Sequence, residues 1–198
     1  MRKVCYLGGT IANLSYKDAT EHRNKIKAYL AERGWDSLDP MRGKEILSSV
    51  SIIEERDAVR LLGVTDAAII ERDYDDLRRA DVLIVLSGDK ASWGTAFEWS
   101  IAHFQMHKPV VVVCAEDAPI RDHPWCKLMC SGFFSTIEAA VDFIDTWLDR
   151  GYTLPDELVP PHENATVDDQ GFLVRLPRGP DSVTRPRWES YVDMGQGC

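Results

Sequence analysis

The chain has 198 residues and a formal net charge of −9, with 44% hydrophobic and 28% charged residues. This length and balance are typical of one globular domain with a short appendage. The negative charge argues against a general binder of DNA or RNA polymers, which needs a basic face to replace the counterions on phosphates. A local pocket for a small nucleotide stays compatible with it.

The first 150 residues alternate between strands and helices. The predicted strands and extended segments are 3–8, 35–40, 81–86 and 109–114, and the predicted helices are 17–33, 54–62, 66–79, 94–106 and 135–149. Residues 41–51 are predicted as a loop that can hold a short helix. Alternation of this kind indicates βαβ units. The fold class is therefore α/β, a Rossmann- or flavodoxin-like three-layer sandwich with a mostly parallel sheet, in which ligands bind beyond the carboxyl ends of the strands.

Three predicted loops lie at that edge of the sheet, over residues 8–13, 87–94 and 115–125. Beyond the α/β domain of residues 1–150, six prolines break any long helix in residues 151–198. We predict a Pro-rich C-terminal extension there, with one hairpin strand over Phe172–Leu176 and its turn at Asp168–Gly171. We expect this extension to wrap the domain or a neighbouring subunit.

The cysteines, the N-terminus and the apolar runs indicate the setting of the protein. Five cysteines, an odd number, favour reduced thiols in the cytoplasm. Cys126 and Cys130 are four residues apart, but no second Cys or His pair has a matching spacing, so no metal site is predicted. The opening residues lack a signal-peptide pattern, and no apolar run approaches the length of a membrane span, so we expect no membrane partner.

Glu98 is the first candidate for chemistry. Gly94 and Thr95 would start the helix after the strand 81–86, which puts Glu98 one turn in at the ligand-binding edge. The aromatic neighbours Trp93 and Phe97 would raise the pKa of Glu98 by desolvation, and the helix N-terminus would oppose that shift. A carboxylate there can attack an anomeric carbon. The pattern by itself favours a capping or surface glutamate.

Two further segments leave alternatives open. The acidic run Glu71–Asp76 either supplies a proton donor to a leaving base or forms a solvated helix face, which the pattern favours. Gly8 and Gly9 follow the first strand and would let a ligand approach the backbone, or they form an ordinary strand-to-helix turn. They do not make a Gly-x-Gly-x-x-Gly motif, so a dinucleotide site is only weakly supported.

Four segments taken together carry a family resemblance. They are YLGGTI at residues 6–11, RDYDDLRRADVLIVL at 72–86, SWGTAFEWSIA at 92–102 and KPVVVV at 108–113. Their order and spacing, over roughly residues 3–115, resemble the nucleoside 2-deoxyribosyltransferase family and its relatives that hydrolyse nucleoside 5′-monophosphates. The Gly-Thr-x-x-Glu element with its preceding strand is the most specific of them.

The resemblance implies roles for individual residues. Glu98 would be the nucleophile that forms a covalent glycosyl-enzyme, Asp73 would help to protonate the leaving base, and Tyr6 would orient Glu98. No cofactor is implied. Family members are homo-oligomers, dimers or larger, in which a neighbouring subunit completes each site, and residues 122–125 are our candidate for that contribution. The substrate-binding residues expected in this way are Gly8, Gly9, Ile11, Ser92, Gly94, Thr95, Asp122 and His123.

Ser92 is a departure from the transferases, where an aspartate at this position binds the sugar 5′-hydroxyl. A serine hydroxyl can donate a hydrogen bond to a 5′-phosphate that a carboxylate would repel. Ala12 stands where some nucleotide-hydrolysing relatives carry an arginine, and Arg23 or Arg42 would have to substitute. We therefore predict a nucleotide N-hydrolase that releases the base from a (2′-deoxy)ribonucleoside 5′-monophosphate. The alternatives are base exchange on free deoxynucleosides and a non-catalytic nucleotide-binding or sensing module.

Overall fold

A parallel five-stranded sheet forms the centre of the computed structural model, which describes residues 2–54, 56–88, 92–149, 165–167 and 173–175. The strands of this sheet are β1 (Lys3–Gly9), β2 (Trp35–Leu38), β3 (Val82–Leu86), β4 (Val110–Val113) and β5 (Gly132–Phe134). Their spatial order is β2-β1-β3-β4-β5, and each neighbouring pair is parallel. This is the flavodoxin-like order, so the predicted fold class is confirmed.

Six α-helices connect or follow these strands. They are α1 (Tyr16–Glu32), α2 (Asp57–Leu62), α3 (Asp66–Arg79), α4 (Trp93–Ser100), α5 (Pro124–Met129) and α6 (Ile137–Asp149). Two 3-10 segments lie at Glu45–Ser49 and Pro119–Arg121, and α4 continues as a π-helical segment over Ile101–Gln105. The short segment Glu45–Ser49 agrees with the loop-with-helix prediction for residues 41–51.

Three details of the predicted elements were wrong or missing. The helix predicted from residue 54 begins at Asp57, because residue 57 accepts a hydrogen bond from the Glu54 amide in the preceding turn. Both α5 and β5 were missed, since six and three residues are too short to show a period. As a result, the predicted loop over residues 115–125 is partly helical.

Apolar side chains cover both faces of the sheet. One cluster contains Cys5 and Leu7 of β1 with residues of α1 and α6, and the other contains Tyr6 with residues of α3, α4 and α5. Successive side chains of a strand point to opposite faces, which explains this division. Tyr6 therefore faces the same layer as α4, near the point between β1 and β3 where connections run in opposite directions and ligands bind in such folds.

The chain divides into two compact units, Met1–Leu158 and Val159–Cys198. In the second unit, β6 (Ala165–Val167) and β7 (Leu173–Arg175) pair antiparallel, with Thr166 opposite Val174. The turn predicted at Asp168–Gly171 and the predicted wrapping of the domain or a neighbour lie outside the described residues. In the described part of the chain, none of the helices is long and apolar enough to cross a membrane.

Candidate active site

Glu98 and Tyr6 meet across the sheet-to-helix interface. The Tyr6 hydroxyl donates a hydrogen bond of 2.6 Å to Oε1 of Glu98. Tyr6 is fully buried, and Glu98 is half-buried. Hydrogen bonds to an ionised acceptor are short and strong, and this one holds the carboxyl group in one orientation. The sequence-predicted pair of nucleophile and orienting tyrosine is thus brought together.

The charge state of Glu98 is set by opposing influences. Burial raises its pKa from 4.5 to about 7, and the Tyr6 hydrogen bond acts against that rise. The charge of Asp73 raises the pKa further, whereas the charges of Arg23 and Lys44 lower it. A carboxyl group with a pKa near neutrality exists in appreciable amounts as the carboxylate at pH 7, which is the form that can act as a nucleophile.

The aromatic neighbours of Glu98 do not cause this shift, contrary to the sequence-based expectation. Trp93 is 81% exposed and Phe97 is 65% exposed, so both rings point away from the carboxyl group. Helical geometry explains the error, because residues one and five positions before Glu98 do not share its face of the helix. The rest of the buried layer around Tyr6 removes water from Glu98 instead.

Ser92 and Thr95 lie at the start of α4. Ser92 is the N-cap, in extended conformation, and its Oγ accepts a hydrogen bond of 3.4 Å from the Thr95 amide. The hydroxyl proton of Ser92 remains available to a ligand, since a hydroxyl donates and accepts at once. Gly94 is exposed at the same helix end. The predicted cluster of small residues before Glu98 is therefore a helix N-terminus.

The two glycines at the end of β1 leave room for Glu98 and for the chain itself. A Cβ on Gly8 would lie 3.3 Å from Oε2 of Glu98 and 3.1 Å from Leu83. Gly9 has φ +149°, and a Cβ there would lie 2.7 Å from the Leu86 carbonyl oxygen. Gly9 is therefore required for steric reasons, whereas a side chain at Gly8 would force Leu83 or Glu98 to shift. Ile11 follows in the loop and packs against a third apolar cluster that includes Leu47 and Ile53.

Asp73 lies on α3 and accepts two hydrogen bonds from Arg72, at 3.1 Å from Nε and 2.8 Å from Nη2. Its charge raises the pKa of both Tyr6 and Glu98, so Asp73 belongs to the same charged group. Arg72 also donates to the carbonyl oxygen of Pro40 at 2.9 Å, which fixes its guanidinium. The role of Asp73 as a proton donor stays a prediction.

Three cations near the site were misjudged or missed in the sequence. Arg23 is fully buried and donates to the carbonyl oxygens of Leu7 and Gly9, while Arg42 is paired with Asp76. The guanidinium of Arg23 is therefore bound to the backbone and that of Arg42 to Asp76, and a phosphate contact by either in place of an arginine at position 12 stays a prediction. A signal for the burial of Arg23 was present, because it shares the helix face of Ala19 and Leu30 at spacings of four and seven.

Lys44 is the cation that sequence reasoning missed. It is 5% exposed, and no hydrogen bond or ion pair to its ammonium group is found among the described residues. Burial lowers its pKa, and the charge of Arg72 adds to that effect, whereas Asp73, Glu98 and Asp39 raise it. The Lys44 side chain is thus buried while its ammonium group is not among the buried atoms that lack a partner, which leaves the charge accessible to a ligand.

Asp122 and His123 lie apart from these groups. Asp122 pairs with Lys127 at 3.0 Å with its side chain 88% exposed, and His123 is the N-cap residue of α5. Between the residues that the structure describes, no hydrogen bond or ion pair joins this segment to Glu98. Their predicted contribution to a neighbouring subunit's site stays a prediction.

A protein-family model matches most of the chain. The model described as nucleoside 2-deoxyribosyltransferase matches residues 5–176 of the chain. The match extends well beyond residue 115, where the four sequence motifs end, and into the segment that the motifs left unassigned. A comparison with curated protein sequences gives no match.

Several solved structures are similar to this chain, and the first named here supports the fold. A conserved protein from Enterococcus faecalis V583 has a TM-score of 0.53 at 14% identity, over 74% of this chain and 99% of that chain. The CMP N-glycosidase BcmB of Clostridium botulinum has a TM-score of 0.45 at 19% identity, over 73% and 99%. The 2-desoxiribosyltransferase from Leishmania mexicana has a TM-score of 0.49 at 14% identity, over 75% and 99%. At these identities the likeness concerns the fold alone.

Proposed function

Since the chain belongs to the nucleoside 2-deoxyribosyltransferase family, an enzyme family that acts on small nucleosides or nucleotides, we propose that it cleaves the N-glycosidic bond of a (2′-deoxy)ribonucleoside 5′-monophosphate and releases the base. The observation that carries this proposal is the Tyr6–Glu98 pair at the ligand-binding edge of the sheet. A carboxylate held in one orientation, at a pKa near neutrality, has the properties of a nucleophile for an anomeric carbon.

The reaction takes two steps on Glu98. Oε1 is held by the Tyr6 hydroxyl, so we assign the attack on C1′ to Oε2, which lies against Gly8. As the Oε2–C1′ bond forms, the C1′–N bond breaks, and its electron pair leaves with the base, which takes up a proton from the protonated form of Asp73. Water then attacks C1′, the C1′–Oε2 bond breaks to restore the Glu98 carboxylate, and the proton of the water returns to Asp73, which gives overall retention of configuration.

A 5′-phosphate fits the polar groups at the start of α4. The Ser92 hydroxyl and the free amides of a helix N-terminus are donors to a phosphate. Lys44 supplies a positive charge with no ion pair found in the described residues, whereas Arg23 binds the backbone and Arg42 pairs with Asp76. We therefore assign the recognition of the anionic substrate to Ser92 and Lys44.

A panel of substrates tests the proposal. The protein is incubated with nucleoside 5′-monophosphates and with free nucleosides, in both the ribose and the 2-deoxyribose series, with and without a second free base. Base release from monophosphates supports the hydrolase, whereas base exchange on free deoxynucleosides supports the second candidate, a 2-deoxyribosyltransferase, which the family match favours. No turnover, with a nucleotide still raising the melting temperature, would leave a binding module.

The Ser92→Asp variant tests whether Ser92 binds the 5′-phosphate of the substrate. A carboxylate at the helix N-terminus repels a phosphate, so we expect monophosphate turnover to fall at least about tenfold relative to turnover of the free nucleoside. The nucleoside rate of the same variant is the internal control. Equal losses on both substrates would exclude Ser92 as a phosphate contact.

The assembly proposed is a homodimer or larger homo-oligomer with shared active sites. Trp93, Phe97 and Trp125 are exposed, and the Phe104 and Trp125 rings are in edge contact at 6.5 Å between centroids. Exposed aromatic groups of this kind are typical of interface cores. Light scattering of the wild type and of Trp93→Glu tests this: a monomeric wild type contradicts it, and a dimer lost in the variant supports it.

A cytoplasmic location is proposed from the thiols. Cys5, Cys114, Cys126 and Cys130 are free, which suits a reducing compartment. Cell fractionation would test it, and recovery of the protein outside the cytoplasm would contradict it.

A further inference from the structure

Arg23 is a buried arginine whose guanidinium binds backbone rather than solvent. Nη1 donates to the Leu7 carbonyl oxygen at 2.6 Å, and Nη2 donates to the Gly9 carbonyl oxygen at 2.9 Å. Among the described residues its carboxylate partner is the buried Asp39, whose Oδ1 lies 3.5 Å from Nη1 and whose Oδ2 also pairs with Lys27 at 2.8 Å. The side chain therefore fixes two of the last three residues of β1.

The backbone segment that Arg23 holds, Leu7–Gly9, lies against the Glu98 carboxyl group. Gly8 stands between Leu7 and Gly9, and a Cβ on it would be 3.3 Å from Glu98 Oε2. A Cβ on Gly9 would be 3.0 Å from Arg23 Nη2. The Arg23 guanidinium and the Glu98 carboxyl group thus lie against the same three-residue end of β1, Leu7–Gly9.

Stability alone does not explain an arginine at this place. Ala19 and Leu30 are the other fully buried residues of α1, and Lys27 already pairs with Asp39, so an apolar residue at position 23 would pack there without the cost of burying a second charge. Nε of Arg23 has no hydrogen-bond partner, which adds to that cost. Retained buried charges of this kind are common at functional sites.

We propose that Arg23 is a positioning residue for the reaction: its guanidinium holds the Leu7–Gly9 end of β1 against the Glu98 carboxyl group and places a buried positive charge on the other side of that segment. This inference rests on the proposed role of Glu98 as the nucleophile. It goes beyond that role, because it assigns the charge state of the nucleophile to a buried ion pair on α1 and the segment after β2.

The charges around Glu98 give the sign of the effect. Tyr6 on β1, Asp73 on α3, Arg23 on α1 and Lys44 before the 3-10 segment face it, and Arg23 lowers the pKa of Glu98. Arg23 in turn faces Asp39, Glu98 and Tyr6, and its own pKa is lowered by burial and raised by these groups. Removal of the Arg23 charge is therefore expected to raise the pKa of Glu98. Removal of the Asp39 charge leaves Arg23 and Lys27 without their carboxylate partner and is expected to lower the pKa of Glu98 by a smaller amount.

The experiment compares the pH dependence of kcat/KM for the wild type, Arg23→Gln and Asp39→Asn, with Lys25→Gln on the exposed face of α1 as the matched control. We expect the acidic limb to move up by roughly one pH unit in Arg23→Gln and down by less in Asp39→Asn, with no movement in Lys25→Gln. The substrate is the same in every profile, so its own ionisation cancels in the comparison.

Arg23→Lys separates charge from geometry. It keeps the charge and loses the forked hydrogen bonds, so the limb should stay near that of the wild type while kcat falls. A purely structural role would lower the rate in Arg23→Gln and Asp39→Asn without moving either limb, and that result, or shifts in the same direction, would overturn the inference. If Arg23→Gln does not fold, the pH profiles of Asp39→Asn and Arg23→Lys test the inference.

A second readout does not need turnover. The Glu98 carboxyl group is titrated by 13C NMR in protein labelled at glutamate, and its signal is identified by its loss in Glu98→Gln. Opposite shifts of this titration in Arg23→Gln and Asp39→Asn support the inference even where no substrate is cleaved. An unmoved titration in an enzyme that depends on Glu98 for turnover overturns the inference and leaves the proposed function intact.

Discussion

Two groups of charged residues, the one around Glu98 and the one on the outer face of α3, have similar distances and different surroundings. The Tyr6–Glu98 hydrogen bond is 2.6 Å, and the Arg78–Asp75 ion pair is also 2.6 Å. The Arg78 and Asp75 side chains are 69% and 47% exposed, so water screens their interaction, whereas the first pair lies in the layer beneath α4.

This difference shows that burial, rather than local charge density, makes a carboxyl group chemically distinctive. Residues 71–76 contain more acidic residues than any part of α4, yet the pKa of Asp75 is lowered by its hydrogen bond from Arg78, as for an ordinary surface acid. Glu98 has no acidic neighbour in its helix and is the carboxyl group whose pKa is raised to about 7. Variants in the buried group around Glu98 and in the exposed group on α3 test this difference.

Glu98→Ala should have the largest effect. Loss of the nucleophile should lower turnover at least about a thousandfold, because no other carboxylate can form the glycosyl-enzyme. Steady-state base release measures it, with the exposed Glu138→Ala on α6 as the control that keeps its rate. Turnover within tenfold of the wild type in Glu98→Ala would exclude Glu98 as the nucleophile.

Tyr6→Phe should have the next largest effect. It removes the hydrogen bond that orients Oε1 and opposes the rise in the pKa of Glu98. We expect kcat to fall about 10- to 100-fold and the acidic limb of the pH profile to move to higher pH. An unchanged limb would show that the tyrosine does not influence the ionisation of Glu98.

Glu98→Gln should stabilise the protein above neutral pH. The folded-state pKa of about 7 is above the ordinary 4.5, so the wild type loses stability as the pH rises from 4.5 through 7. At pH 8 the variant should be more stable by about 2 kcal/mol, and at pH 5 by much less. Urea unfolding at both pH values measures this, and an equal difference at the two would contradict it.

Arg78→Gln should have the smallest effect. Its partner Asp75 is solvated, so the melting temperature should change by less than about 2 °C and kcat should not change. Thermal unfolding at low and high salt measures it. A large loss would mean that the charges of α3 are not the screened surface group described above.

Several elements could be predicted because their signals are local. The prediction of α3 over residues 66–79 agrees with the structure residue for residue, and β3 follows from a run of buried β-branched and apolar side chains. The short elements β5 and α5 could not be predicted, since too few residues show a period. The orientation of Trp93 was predicted wrongly, because its aromatic character was taken to mean that its ring lies close to the Glu98 carboxyl group.

The residues of the site also fall into two groups, those that the sequence could select and those that only the packing reveals. Glu98 and Tyr6 were selected by motif, although their contact joins residues 92 positions apart. Arg23 and Lys44 look like solvated charges in a charged stretch, and only the packing of α1 and of the segment after β2 buries them. Local periodicity in the sequence predicted the parallel sheet, and the resemblance of four ordered motifs to a known family selected the candidate nucleophile, which periodicity alone did not. Burial and neighbouring charges decide the pKa of Glu98. Both arise only in the folded structure, because segments distant in the sequence must pack together to exclude water.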